Sequence, residues 1–293
     1  MIEIISHNYA SELISLSGVY LEQNESENNR VLGLAYKLAE APHYQDSEPR
    51  LLLSILERGK AVGVAIMVPW WQSILSKFGT QVQPAMTHLV RHLREANVQI
   101  PKIHGPASEA QAFADCWVEA MPGVSTEVAM RMRTFEARAV ADLPLSPGKL
   151  RLACLEDLPL MAQWHAAYLE ETWGVIFNFD RAKSYAEQGI KDQELYIWDH
   201  DGPISIARTD RPTNNGIAIH TVYTPPEHRN KGYATTSVLL LTKKLLAERY
   251  SFCCLHTDLS NPTSNSIYTK IGYMPMGDAL EFDFVSADEH SGT

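Results

Sequence analysis

The sequence lacks the features that mark membrane proteins and nucleic-acid-binding proteins. No apolar run reaches the roughly 18–20 residues of a membrane-spanning helix, and the N-terminus MIEIISHNYA has no basic segment followed by an apolar stretch. Lys and Arg form no long run, and the formal net charge is −10. Because nucleic-acid binding needs clustered Lys and Arg, we expect no nucleic acid partner. Because the chain has no apolar run of membrane-spanning length, we expect no membrane partner. The acidic balance is compatible with a cationic or amine substrate, but solubility alone is the simpler explanation.

Cysteine is scarce and is not arranged for disulfides or for metal binding. The chain has four cysteines and no CxxC pair, and its histidines show no HExxH spacing. Adjacent Cys253 and Cys254 should point to opposite faces of a strand. We therefore expect free thiols in the reducing cytoplasm, and no metal site.

A break near residues 141–149 divides the chain into two predicted domains. The 293 residues suit two domains of ordinary size, and the break holds two prolines and a glycine. We predict a first domain at 1–140 and a second at 149–285. Helical and strand patterns alternate in both halves, which predicts a mixed α/β fold.

The expected elements follow from hydrophobic periodicity and from turn residues. In the first half they are strands at 50–56, 61–68, 102–105 and 128–137, and helices at 84–96 and 108–120, the latter with Ser108 as N-cap. In the second half they are strands at 149–153, 194–198, 204–209, 216–223, 252–257, 273–275 and 280–284, and helices at 157–172, 181–189, 235–248 and 261–271.

A short basic turn precedes the predicted helix at 235–248. Gly232 and Ala234 permit close backbone approach. The helix N-terminus favours an anion, and Arg229 and Lys231 add positive charge. This turn can hold a pyrophosphate, although a plain surface turn is the alternative. The P-loop and dinucleotide patterns GxxxxGK[ST] and GxGxxG are absent.

A second motif, NPTSNSIYTKIGY, occupies residues 261–273. Asn261, Asn265 and Tyr268 are spaced i, i+4 and i+7 and share one helix face. Pro262 suits the first helical position, and Gly272 suits the helix end. Capping and turn chemistry alone would be the alternative explanation.

The two motifs together resemble the GNAT superfamily of N-acetyltransferases. Arg229, Gly232 and Ala234 match the family pattern (Q/R)xxGx(G/A), and residues 261–273 match NPxxNxxYxKxG(F/Y). VYTPPEHR and the motifs around it are similar to those of bacterial two-domain acetyltransferases. The resemblance covers residues 149–285 and implies a GNAT fold with a mixed, antiparallel-rich sheet and acetyl-CoA as co-substrate. The first half lacks the cofactor motif, so we expect a smaller, degenerate GNAT-like domain that covers the acceptor cleft or mediates dimerisation.

The resemblance also implies roles for individual residues. Tyr268 is the expected general acid. His220 is a candidate base, with a structural histidine or a water-mediated base as alternatives. The expected cofactor contacts are Val222, Tyr223, Thr224, Arg229, Asn230, Lys231, Gly232, Tyr233, Ala234, Thr235, Asn261 and Asn265.

The acceptor is expected to be a primary amine of a small molecule or amino acid. Glu170 and Glu171 could bind its ammonium, and Trp173 and Phe177 could line its pocket, although a solvated helix end and core packing are the alternatives. The competing functions are a catalytically silent acyl-CoA-binding module and a protein N-terminal or lysine acetyltransferase. A homodimer is left open.

Overall fold

The computed structural model describes residues 1–40, 50–67, 72–79, 81–174 and 178–286. They form two compact units. The first unit comprises the described parts of Met1–Phe135, His256–Pro262 and Pro275–Thr293, and the second comprises those of Glu136–Leu255 and Thr263–Met274. The mixed α/β fold class is confirmed.

The elements alternate between strands and helices along the described chain. In order they are β1 (Ile2–His7), α1 (Ala10–Glu22), α2 (Asn29–Glu40), β2 (Leu51–Glu57), β3 (Lys60–Met67), β4 (Ser73–Leu75), α3 (Val82–Glu95), β5 (Lys102–Pro106), α4 (Ala107–Ala120), β6 (Val124–Ala137), β7 (Lys149–Leu152), α5 (Leu158–Trp173), α6 (Phe179–Lys191), β8 (Leu195–Asp199), β9 (Pro203–Asp210), β10 (Gly216–Tyr223), α7 (Tyr233–Glu248), β11 (Phe252–Asp258), α8 (Pro262–Ile271) and β12 (Met274–Ser286).

The sheet of the first unit takes one of its strands from the end of the chain. Its strand order is β1-β2-β3-β4-β5-β12-β6. The pairing of β4 with β5 is parallel, whereas β12 pairs antiparallel with β5 and sets Ala279 opposite Pro106. Leu280 and Phe282 of β12 join the core, together with the stacked rings of Phe113 and Trp117 from α4. The first unit is therefore completed by a segment far away in sequence.

The sheet of the second unit is antiparallel except at one pair of strands. Its order is β11-β10-β9-β8-β7. Neighbouring strands from β7 to β10 pair antiparallel, and β10 pairs in parallel with β11. Residues of α5 and α6, including Met161 and Ala186, pack against Ile197 and Ile206 of the sheet. Helix α7 contacts β7, β8, β9 and β10.

Most predicted elements match the structure closely, and β10 at 216–223 is confirmed at both ends. The two strands predicted at 273–275 and 280–284 are wrong, because β12 is one strand. Gly277 stays extended there, where an added Cβ would lie 2.6 Å from a Glu27 carboxylate oxygen. Ser108 is not the N-cap, since α4 begins at Ala107 after Pro106 and the Ser108 hydroxyl donates to Glu109 instead.

The structure adds two strands that the sequence patterns did not predict, β1 and the three-residue β4. No helix within the described residues is long and apolar enough to cross a membrane.

Candidate functional site

A β-bulge interrupts β10 near its end. The register with β9 pairs His220 with Arg208 but Tyr223 with Ile206, so it shifts between them. Thr221 has a φ of 49°, which is costly for a β-branched residue. Bulges re-aim neighbouring backbone and side-chain groups, and they cluster near active sites. Sequence patterns gave no sign of this bulge, because position 221 carries no glycine.

The bulge lies beyond the part of β10 that pairs with β11. The parallel register joins Gly216–Ala218 to Phe252–Cys254, and β10 continues for five more residues to Tyr223. The carbonyl of Tyr223 accepts a hydrogen bond from the Ser205 hydroxyl at 2.9 Å. The Thr224 hydroxyl lies 2.8 Å from the same hydroxyl. These bonds fix the backbone where Val222, Tyr223 and Thr224 were predicted to contact a cofactor.

The turn between β10 and α7 adopts two left-handed backbone conformations. Asn230 has a φ of 62°, and Gly232 has a φ of 78°. Tyr233 then begins α7, so the N–H groups of Tyr233, Ala234 and Thr235 belong to the first turn of a 16-residue helix. The positive end of the helix dipole and these N–H groups favour an anion here. The predicted anion-binding turn thus has suitable backbone geometry.

Ser146 supports this turn from the segment that was predicted only as a linker. Its hydroxyl donates to the carbonyl of Lys231 at 2.9 Å, and its N–H donates to the Thr236 hydroxyl at 3.0 Å. A Cβ added at Gly232 would lie 2.9 Å from the Ser146 hydroxyl. Glycine at 232 is therefore required both by its φ and by this contact.

The two basic residues of the turn are held by partners on the protein. Nη2 of Arg229 lies 2.8 and 2.7 Å from the two carboxylate oxygens of Glu171. Nε of Arg229 donates to the Thr224 carbonyl at 2.8 Å. Nζ of Lys231 donates to the Glu227 carbonyl at 3.1 Å. The structure thus joins a predicted cofactor residue, Arg229, to a predicted acceptor residue, Glu171.

The remaining candidate acceptor residues lie at the end of α5. Glu170 is exposed, and Trp173 is 41% exposed. Gly174 follows with a φ of 67° and donates its N–H to the Glu170 carbonyl at 2.8 Å. Phe177 lies outside the described residues.

Tyr268 is buried on α8. The helix ends at Ile271, and Gly272 follows with a φ of 114°. The N–H of Tyr273 reaches back to the Tyr268 carbonyl at 3.0 Å, which completes the predicted helix end. Burial raises the pKa of Tyr268 above its ordinary value, and Tyr168 adds to the effect. The phenol is therefore protonated at neutral pH.

The two asparagines of the second motif have different positions. Asn265 is half-buried on α8, and its carbonyl accepts the Thr269 hydroxyl at 3.0 Å. Asn261 directly precedes α8 and belongs to the first unit.

His220 lies beside the bulge with three polar neighbours. Its Nδ1 is 2.8 Å from the Thr221 hydroxyl. Its Nε2 is 3.4 Å from the Tyr185 hydroxyl and 3.8 Å from Oδ2 of Asp210. Burial lowers the pKa of His220 to about 3, against the opposing effect of Asp210, and Arg211 lowers it further. The imidazole is therefore neutral at physiological pH.

A stack of polar and aromatic side chains adjoins His220, and sequence patterns did not identify it. The Arg208 guanidinium carbon lies 4.0 Å from the Tyr185 ring centre, and the His165 ring stacks on Tyr185 at 4.2 Å. Both distances are so short that the two groups must cover opposite faces of Tyr185. Arg208 is fixed by Glu194 at 2.7 Å and by the Tyr185 carbonyl at 2.9 Å. The aromatic residues of α5 and α6 are visible in the sequence, but no sequence motif indicates that they lie close together in the fold.

The charges of this stack are set by its surroundings. Burial acts to raise the pKa of Asp210, but Arg211 and His220 outweigh that effect and the pKa lies below its ordinary value. Burial lowers the pKa of His165 to about 4, with Arg208 adding to the effect. Asp210 is thus an anion beside neutral histidines. No group of three His, Cys, Asp or Glu side chains is placed for a metal ion anywhere in the described ranges.

Comparison with known proteins relates this architecture to one fold family. The model of the family described as FR47-like protein matches residues 206–280, which span β10, the turn, α7 and α8. None of the curated protein sequences compared with the chain matches it.

Several solved structures are similar to the chain over nearly its whole length. A GNAT-family acetyltransferase from Colwellia psychrerythraea is 14% identical, with a TM-score of 0.62 and coverage of 97% of this chain and 100% of that one. A GCN5-related N-acetyltransferase from Sphaerobacter thermophilus is 13% identical, with a TM-score of 0.59 and coverage of 98% and 96%. A tandem GNAT protein from the clavulanic acid biosynthesis pathway is 11% identical, with a TM-score of 0.56 and coverage of 98% and 99%. The predicted resemblance is confirmed: the chain is a two-unit protein of the GNAT fold.

Proposed function

We propose that the second unit transfers an acetyl group from acetyl-CoA to a primary amine of a small molecule or amino acid. The observation that carries the proposal is the continuous path from the bulged end of β10, through the left-handed turn at Asn230 and Gly232, into the N-terminus of α7. Such a path offers N–H donors for a thioester carbonyl and for a pyrophosphate.

The residues of the second unit fit acetyl-CoA. Asn230 to Thr235 would hold its diphosphate, because the backbone of this turn and the start of α7 present N–H groups to an anion. Val222, Tyr223 and Thr224 would bind its acyl arm at the bulge, and Asn265 is the proposed contact on α8. When bound, acetyl-CoA supplies an activated acyl group on a thiol leaving group.

The acceptor amine must lose a proton before it can attack. An alkyl ammonium has a pKa of about 10, so at neutral pH the nucleophilic form is scarce. Neutral His220 can accept a hydrogen bond from the amine or from a bridging water, and Asp210, at 3.8 Å, favours a positive charge near it. Because the pKa of His220 is about 3, the ring holds a proton only weakly. We infer that the proton passes through it, or past it by water, to solvent.

Tyr268 is the proposed acid for the leaving thiolate. Its phenol is buried and protonated, and its ring is fixed edge-on against Tyr273 at 6.0 Å. As the amine nitrogen bonds to the acyl carbon and the carbon–sulfur bond breaks, the phenol donates its proton to sulfur. The phenol regains a proton from water after the products leave.

Thiol release from acetyl-CoA, measured with a panel of primary amines, tests the function. We expect release that requires an amine and that Gly232→Trp abolishes, because the bulky side chain fills the turn. Binding of acetyl-CoA without release for any amine or lysine peptide would favour the silent binding module. Release with lysine peptides alone would favour a protein acetyltransferase.

A further inference from the structure

One aromatic neighbour of His220, Tyr185, has no role in the proposed acetyl transfer. Tyr185 lies in the middle of α6 and brings its hydroxyl to 3.4 Å from Nε2 of His220. The two rings meet edge to face, with centres 6.3 Å apart and planes at 76°. Burial raises the pKa of Tyr185 to about 12, so the phenol keeps its proton at neutral pH. The hydroxyl can therefore act as a donor or as an acceptor towards this nitrogen.

The ring of Tyr185 is held on both faces. The guanidinium carbon of Arg208 lies 4.0 Å from the ring centre, and the His165 ring stacks on it at 4.2 Å with planes 12° apart. Nη1 of Arg208 also donates to the Tyr185 carbonyl at 2.9 Å, so one side chain fixes both the ring and its backbone. Arg208 is in turn bound to Oε2 of Glu194 at 2.7 and 3.2 Å. The Tyr185 hydroxyl thus has a fixed position beside His220.

The other ring nitrogen of His220 contacts a neighbour on the same strand. Nδ1 lies 2.8 Å from the Thr221 hydroxyl. A hydroxyl can accept from a protonated Nδ1 or donate to an unprotonated one, so Thr221 is compatible with both neutral forms of the imidazole. The position of the ring proton is therefore decided by the groups around Nε2.

Charged groups near Nε2 act in opposite directions. Oδ2 of Asp210 lies 3.8 Å from Nε2, which is beyond hydrogen-bond distance, and its negative charge favours a proton on that nitrogen. The same oxygen binds Nη1 of Arg211 at 3.0 Å. The positive charges of Arg211 and Arg208 act on His220 against Asp210. Because these charges oppose each other, the hydrogen bond from Tyr185 can decide which nitrogen carries the proton.

Tyr185 and Asp210 differ in what they can offer to Nε2. An ionised carboxylate only accepts hydrogen bonds, so it can pair with Nε2 only when that nitrogen carries a proton. A phenol can donate to an unprotonated Nε2 and, after its O–H rotates, can accept from a protonated one. The distance of 3.4 Å is long for a hydrogen bond, so an amine or a bridging water can take the place of the hydroxyl.

We propose that Tyr185 is a positioning residue for His220: its hydroxyl donates to Nε2, so the neutral imidazole carries its proton on Nδ1 and keeps a lone pair on Nε2. The catalytic consequence rests on the proposed function. As an N–H bond of the acceptor ammonium breaks, Nε2 takes the proton, and the nitrogen keeps the electron pair that attacks the acyl carbon. The Tyr185 hydroxyl then accepts a hydrogen bond from the imidazolium.

Nitrogen NMR of the full chain with isotope-labelled histidine, at neutral pH and without substrate, tests the position of the proton. The protonated and the unprotonated nitrogen of a neutral imidazole give separate signals, and the spectrum of His220→Gln identifies those of His220. We expect the proton on Nδ1 in wild type. Tyr185→Phe keeps the stacked ring but loses the hydroxyl, and we expect the proton to move to Nε2, towards Asp210. Tyr196→Phe, at a buried tyrosine of β8, is the matched control and should leave the His220 signals unchanged.

Steady-state kinetics with an amine that supports thiol release tests the catalytic consequence. We expect Tyr185→Phe to lower kcat roughly tenfold while the KM for acetyl-CoA stays near wild type, and Tyr196→Phe to retain wild-type kcat. A merely structural role of Tyr185 would lower the free energy of unfolding without moving the ring proton.

A proton on Nε2 in wild type would overturn the proposal, and this result needs no variant to fold. The same tautomer in wild type and in folded Tyr185→Phe, or a wild-type kcat in that variant, would also overturn it. If no amine supports acetyl transfer, the proposed function fails, whereas the NMR comparison still decides whether Tyr185 positions the ring.

Discussion

Both carboxylate oxygens of Glu171 lie within 2.8 Å of Nη2 of Arg229. The pair joins the end of α5 to the turn that precedes α7. In the proposed function Arg229 lies beside the diphosphate of acetyl-CoA. The Arg229 guanidinium is already paired with the Glu171 carboxylate, so the diphosphate must compete with Glu171 for it. Each binding event at Arg229 therefore competes with Glu171.

Removing the Glu171 charge should tighten acetyl-CoA binding. We expect Glu171→Gln to lower the dissociation constant roughly two- to fivefold, since exposed ion pairs contribute at most about 1 kcal/mol. The gain should shrink in high salt, which screens both interactions. Calorimetric titrations at two salt concentrations measure it. Glu170→Gln, one residue away, is the matched control, and equal affinities in the two variants would contradict the competition.

Gly232→Ala should weaken both the fold and the proposed cofactor site. Alanine in a left-handed conformation costs roughly 1–2 kcal/mol, and the added Cβ would meet the Ser146 hydroxyl at 2.9 Å. Gly174→Ala has a similar φ, and no heavy atom of the described residues lies within 4 Å of the added Cβ, so this variant reports the strain alone. We expect Gly232→Ala to lose more unfolding free energy than Gly174→Ala does. We expect only Gly232→Ala to lower the affinity for acetyl-CoA. Equal losses at both positions would show that Ser146 does not shape the turn.

Tyr268→Phe should lower kcat by about 100-fold or more and leave acetyl-CoA affinity unchanged, because it removes only the proton donor. Tyr273→Phe is the control, since it also removes a buried hydroxyl, one that lies 2.7 Å from the Thr242 hydroxyl. That variant should lose about 1 kcal/mol of stability while kcat stays near wild type. Steady-state kinetics and urea denaturation separate the two effects. A Tyr268→Phe enzyme with wild-type kcat would remove this residue as the acid.

The low pKa values of His220 and His165 should make the fold sensitive to acid. In the folded chain the pKa values of His220 and His165 are about 3 and about 4, against 6.5 for free imidazole. The unfolded chain thus binds more protons below pH 6.5, and the free energy of unfolding falls as the pH decreases from 6.5 towards 4. The contribution of the two neutral histidines to the free energy of unfolding is fully present above pH 6.5.

We expect the wild type to lose about 1–2 kcal/mol more between pH 7.5 and pH 5 than His220→Gln does. Asp210, Arg211, Arg208 and His165 surround His220 in both proteins, so the comparison isolates one imidazole. His88→Gln on α3 is the control for replacement of a histidine by glutamine. Urea denaturation at the two pH values checks this. Parallel curves for wild type and His220→Gln would contradict the low pKa.

Local patterns predicted those parts of the site that depend on neighbouring residues in sequence. The glycine at 232, the helix stop at Gly272 and the strand at 216–223 each follow from a short signal, and each is present. Tyr268 was placed on a helix because Asn261 and Pro262 mark its start. These predictions needed no knowledge of tertiary contacts.

Features that depend on distant residues were not predictable. Ser146 supports a turn that lies some 85 residues further along the chain. The bulge at Thr221 coincides with a shift in the register between β10 and β9, and Thr221 has a positive φ there, which a β-branched residue disfavours. The sequence patterns predict two short strands at 273–275 and 280–284, whereas β12 runs without a break through Pro275 and Gly277. In each case tertiary packing overrode a local preference.

Calorimetric titration with acetyl-CoA, run in parallel on wild type and on an Arg229→Ala/Gly232→Trp double variant, tests the central claim most directly. The proposed function predicts micromolar binding to wild type and loss of that binding in a double variant that is still folded. Absence of binding to wild type, or equal binding to both proteins, would contradict a cofactor site at the turn between β10 and α7.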